Sequence, residues 1–102
     1  MTNTVRVTFS KKGLMAFISH LDLMRLFQRA GRRAGMPFEF TKGFNPHPKI
    51  SVVKALKLGV ESDSLEAVFC LERDMDADEF RERLNKELPE GVRIKDAKRD
   101  LY

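Results

Sequence analysis

Two histidines, a row of arginines and one proline-rich stretch carry most of the chemistry this chain offers. The stretch is Gly43-Phe44-Asn45-Pro46-His47-Pro48-Lys49, with two of the four prolines and one of the two histidines. Pro46 and Pro48 fix φ and remove two backbone donors. They also push Asn45 and His47 away from helical backbone. The spacing predicts a stiff, extended loop that holds Phe44, Asn45 and His47 in set directions. An aromatic, an amide and an imidazole presented together suit a binding loop. The plainer reading is a rigid surface loop with Phe44 folded back onto the core.

Arg25, Arg29, Arg32 and Arg33 fall within one short stretch. Their spacing places Arg25 and Arg29 on one helix face, with Arg32 or Arg33 continuing it. No acid stands four residues from any of them. Guanidinium forks left without carboxylates suit phosphate oxygens. Arg32 and Arg33 equally suit the negative end of a helix.

His20 reads either as a hydrogen-bonding residue at a helix start or as a site residue beside the Pro-rich loop. His20 and His47 together make an acid–base pair of the kind that cleaves RNA. With Asp22 they make a two-His, one-carboxylate set. That set is split between a helix start and a loop without tight ligand spacing, so no metal is expected. Asp22 is better explained as a capping acid. The chain has no Walker loop, no G-x-G-x-x-G, no C-x-x-C and no nucleophile elbow. The closely spaced cysteines of an iron–sulfur site are also missing, and no cofactor is expected.

These residues need elements to position them. Val5-Arg6-Val7-Thr8-Phe9 alternates and predicts a strand with Val5, Val7 and Phe9 inward. Lys11-Lys12-Gly13 reads as a basic turn. Leu14–Ile18 is an apolar run that either finishes the strand or leads into a helix. Ser19 is an N-cap with Asp22 as its box partner. Leu23, Phe27, Ala30 and Ala34 then recur at helical spacing until Gly35 and Pro37 stop the helix. Phe38-Glu39-Phe40-Thr41 predicts a second strand. Ile50–Val53 reads as a short strand or as the tail of the loop. Ala55–Gly59 runs into a turn.

Leu65–Glu72 is the strongest later strand, and it contains Cys70, read as a small core residue. Asp76 caps a helix with Glu79 as partner, and Phe80, Leu84 and Leu88 form its stripe. Val92–Lys95 is a last strand, and Lys98–Tyr102 reads as a tail. The order is β-α-β-β-α-β, an α+β, ferredoxin-like unit with two helices on one face of an antiparallel sheet.

Bulk properties agree with one soluble domain over residues 1–102. The chain is 42% hydrophobic and 33% charged, ordinary for a globular protein. No apolar run nears the roughly 20 residues of a bilayer span, and Met1–Arg6 holds no signal-peptide core. A single cysteine rules out an internal disulfide and fits a reducing cytoplasm. The net charge of +4 hides an asymmetry. Residues 1–57 hold eleven Lys/Arg against Asp22 and Glu39, a balance of +9, and residues 58–102 hold eight against thirteen acids, a balance of −5. A first half this basic points to a polyanion, most simply nucleic acid, or to two solvated faces of opposite sign.

Three segments carry a resemblance to a known family. They are Phe17–Arg25, the Arg29–Gly35 stretch, and Gly43–Ser51 followed by Leu56–Ser62. In that order they resemble the radical-SAM-linked domain family DUF2344, strongly over about residues 5–75 and in general pattern beyond. The resemblance implies an accessory or substrate-presenting role beside a radical SAM enzyme, which becomes the expected partner. It supplies no catalytic residues. Members usually run longer, so this chain reads as a short member or as the N-terminal half of a longer unit.

The resulting expectation is an RNA-binding accessory domain. Arg25, Arg29, Arg32, Arg33, Lys42 and Lys49 hold phosphates, and Phe44 stacks on a base. His20, Asn45 and His47 supply directional hydrogen bonds. Two alternatives stand beside it. One is a metal-independent endoribonuclease using His20 and His47. The other is a protein–protein adaptor docking on a radical SAM partner. No membrane contact is expected.

Overall fold

Alternating apolar residues on three long strands build one buried sheet face, and the two helices lie on it. The computed structural model describes residues 3–53 and 57–101. The elements are β1 (Asn3–Lys11), a 3₁₀ turn (Gly13–Phe17), α1 (His20–Arg33), β2 (Ile50–Val52), β3 (Ser62–Leu71), α2 (Ala77–Glu87) and β4 (Val92–Leu101). The four strands form an antiparallel open sheet in the order β2-β3-β1-β4. The protein is therefore α+β. Among the described residues no helix is long and apolar enough to cross a membrane.

Val5, Val7 and Phe9 of β1 are buried, as their alternation predicts, together with Leu65, Ala67, Phe69 and Leu71 of β3. Phe69 is the hub. Its ring centroid lies 5.3 Å from Phe27 of α1 and 5.1 Å from Phe80 of α2. One strand residue touching both helices puts them on the same face. Phe27 also meets Phe9 edge-on at 5.2 Å. Each such pair contributes about 0.5–1.5 kcal/mol beyond its buried area.

The helix ends follow their signals. Ser19 Oγ accepts from the Asp22 amide at 3.1 Å, and Asp76 Oδ2 from the Glu79 amide at 3.0 Å. At the far end of α1 the Met36 amide donates to Gly31 O and the Gly35 amide to Arg32 O. This double bond pattern needs left-handed backbone at the residue after the cap, and Gly35 supplies it with φ +71°. Arg83 of α2 donates to the Ala34 carbonyl and ties the two helices together there.

Several boundaries differ from the sequence expectation. Lys11 belongs to β1 rather than to a turn; it is buried, and its Nζ donates to Lys57 O at 3.0 Å. Of the Leu14–Ile18 run, Leu14–Phe17 lie in the 3₁₀ turn and Ile18 follows it in extended backbone. Phe38–Thr41 is not a strand but makes only two isolated bridges, Phe38 to Leu71 and Phe40 to Pro48. Lys98 onward is not a tail: β4 continues to Leu101, paired with β1 down to Asn3. Tyr102, and Ala55 and Leu56 of the run before Gly59, lie outside the described residues.

The free edge of β4 is closed at one point. Asn85 of α2 accepts from the Ile94 amide at 2.8 Å and donates to its carbonyl at 2.9 Å. A side-chain amide there takes the place of a neighbouring strand.

Candidate functional site

The Pro-rich loop is anchored by a closed ring of backbone hydrogen bonds. Glu39 donates to Cys70 O at 2.9 Å, Cys70 to Lys49 O at 3.0 Å, and Lys49 to Glu39 O at 2.9 Å. Above this ring Thr41 N donates to His47 O at 2.9 Å, and His47 N donates to Thr41 Oγ1 at 3.2 Å. The loop is thus a tight turn pinned at Thr41 and His47, not an extended arm. Pro48 is buried at its foot, while Lys42–His47 are exposed. Phe44 stands fully in solvent at the tip and does not fold back onto the core.

The imidazole of His47 is oriented from below. Its Nδ1 lies 3.2 Å from the Asn45 carbonyl oxygen and 3.4 Å from Thr41 Oγ1. A carbonyl oxygen only accepts, so the tautomer that bonds Asn45 carries its proton on Nδ1 and leaves a lone pair on Nε2.

Between this loop and α1 runs an open groove of about 730 Å³. His20, Leu21, Met24, Arg25 and Gln28 line its helix side. Thr41, the His47–Ser51 segment and Cys70 line the other. The fold therefore brings His20, Arg25, His47 and Lys49 to one groove. Helical spacing explains the helix side, since residues 20, 24 and 28 fall four apart on one stripe. Arg29, Arg32 and Arg33 are exposed on α1 but do not line the groove. Lys42, Phe44 and Asn45 are exposed on the loop between Thr41 and His47 and do not line the groove either.

Two cations have acidic neighbours that the sequence did not reveal. Arg25 lies 3.6 Å from Asp22, one turn back. Lys49 Nζ meets Glu39 at 2.5 Å. The hydrogen bond and negative charge of Glu39 hold the Lys49 ammonium above its ordinary value. The Arg25 pair is exposed and the Lys49 pair partly so, and a phosphate can share such cations at little cost. Among the described residues, Arg29, Arg32, Arg33 and Lys42 have no ion-pair partner.

Cys70 was read as a core residue, yet it alternates with buried Phe69 and Leu71, so it faces the other way and lines the groove. The period-two pattern was the signal that would have found it. Burial pushes its thiol up, Glu39 adds to the rise, and Lys49 opposes it. Among the described residues no three His, Cys, Asp or Glu side chains gather as a metal-binding group. His20, Asp22 and His47 thus do not form one. A second hollow, about 460 Å³, lies between the β1 end and the β4 start, away from all of these residues.

Residues 4–99 match the model of a family described as an uncharacterised protein conserved in bacteria, DUF2344. The chain belongs to the DUF2344 family. The match takes in both helices, the groove and all of the sheet but Asn3 and the last two residues of β4. No curated protein and no solved structure matches this DUF2344 chain.

Proposed function

We propose that this DUF2344 domain is a non-catalytic accessory module that holds single-stranded RNA in the α1–loop groove. The observation that carries the reading is the groove itself. His20, Arg25, His47 and Lys49 line it together, and Phe44 stands bare on the loop between the lining residues Thr41 and His47. A stacking aromatic beside cations that follow a backbone is how single strands are held. The remaining arginines of α1 and Lys42 extend the basic field around the groove. The resemblance to radical-SAM-linked domains favours a radical SAM enzyme as the partner to which the strand is presented, in the cytoplasm. The strand order and shared helix face also support a ferredoxin-like reading of the fold, a unit that hosts many functions.

The test is anisotropy of a labelled, unstructured RNA at low and high salt. Affinity is expected to fall by about 0.7 log units per phosphate for each tenfold rise in salt. Phe44→Ala should weaken binding roughly five- to hundredfold, the worth of one stacked base. Binding indifferent to salt and to Phe44→Ala would defeat the proposal.

A second reading is favoured by one fact: both imidazoles line the same groove. An endoribonuclease would use His47 Nε2 as base and His20 as acid. Cleavage of RNA that disappears in His20→Ala and in His47→Ala would favour it over simple holding. An adaptor role, docking on a radical SAM partner without RNA, predicts salt-sensitive protein association and no RNA binding at all.

A further inference from the structure

We infer that His47 is the residue by which the groove tells RNA from DNA, by accepting a hydrogen bond from a ribose 2′-hydroxyl. The inference rests on the RNA reading above and adds to it the part of the nucleotide that is recognised. The loop and the groove present three features: Phe44 is fully exposed on the loop between the paired Thr41 and His47, His47 closes that loop and lines the groove, and Arg25 lines the helix wall of the same groove. A nucleotide joins its base to its phosphate through the ribose. A base stacked on Phe44 with its phosphate at Arg25 leaves the sugar opposite His47.

The chemistry of His47 then selects what it reads. Nδ1 lies 3.2 Å from the Asn45 carbonyl oxygen, which only accepts; the tautomer that satisfies this contact donates from Nδ1 and offers an acceptor at Nε2. An acceptor gains nothing from a phosphate oxygen. It needs an O–H or N–H. The 2′-hydroxyl is the donor that every ribonucleotide carries and every deoxyribonucleotide lacks. The backbone bonds between His47 and Thr41 hold the ring in place without using Nε2.

The test compares oligouridine with its 2′-deoxy and 2′-O-methyl counterparts, all carrying the same base. The wild-type chain should bind the ribose strand roughly three- to tenfold tighter than either, the worth of one hydrogen bond. The 2′-O-methyl strand separates loss of the donor from a change in sugar shape. His47→Ala should close the gap between the three strands, and its residual binding of the deoxy strand shows that the variant is folded. Phe44→Ala should weaken all three and keep the gap, because stacking does not read the sugar. Equal binding of the three strands by wild type would overturn this inference alone. A ribose preference that survives His47→Ala would do the same. Failure of all three to bind at low salt would remove the RNA reading and this inference with it.

Discussion

Cys70 gives the groove a built-in reporter. Burial raises its thiol above the ordinary range, and the thiolate is the reactive form. The folded chain should therefore be alkylated more slowly than the urea-unfolded chain at mildly alkaline pH, with its rate rising only at higher pH. Identical pH–rate profiles for the two states would refute the raised value. The same shift has a consequence for stability. Above about pH 8.5 the unfolded chain gives up the thiol proton first, while the folded chain keeps it. The folded state then binds more protons, so stability falls as pH rises through this window. That Lys42–His47 stand exposed on a loop was legible from the sequence. The ion pairs of Arg25 and Lys49 were not, since Asp22 stands three residues away rather than four, and Glu39 is brought close only by the backbone ring.

The elements that position the groove depend on a close approach between α1 and the chain after it. A Cβ on Gly31 would overlap the Phe38 ring, and Phe38 is itself buried and stacked on Phe69 at 6.2 Å. Gly31→Ala should therefore cost about 1–3 kcal/mol of stability as an overpacked contact, despite the better helix propensity of alanine. Urea unfolding checks this, and an unchanged midpoint would show that the ring yields freely. The caps at Ser19 and Asp76 and the stop at Gly35 were legible because they are local. The Phe38–Thr41 segment was misread because alternation reports two faces, not a paired neighbour. It meets only the end of the β3 edge, through Glu39 N to Cys70 O beside the Phe38–Leu71 bridge; Lys49 O takes the Cys70 amide, and β2 takes the rest of that edge. The outer half of β4 was missed for the opposite reason. Lys98, Arg99 and Asp100 are charged and show no apolar alternation, yet they pair with β1 along their length.

The charge asymmetry of the whole molecule is partly cancelled by folding and partly kept. Lys12 meets Asp63 at 2.8 Å and Arg6 approaches Glu66 at 3.9 Å, joining the basic first half to the acidic second. Lys11 is buried. Among the described residues, Arg29, Arg32 and Arg33 of α1 and Lys42 of the loop have no ion-pair partner, while the two cations that line the groove, Arg25 and Lys49, each have one. The arginine row was legible in the sequence; which of its members reaches the groove needed the fold. The most direct measurement of the central claim uses Cys70, the one cysteine in the chain, as a footprint of that groove. Its labelling rate is followed with and without saturating single-stranded RNA, at low and high salt. RNA seated in the groove should slow labelling at low salt and release it at high salt. RNA that binds yet leaves the labelling rate unchanged would place the strand elsewhere and contradict the account.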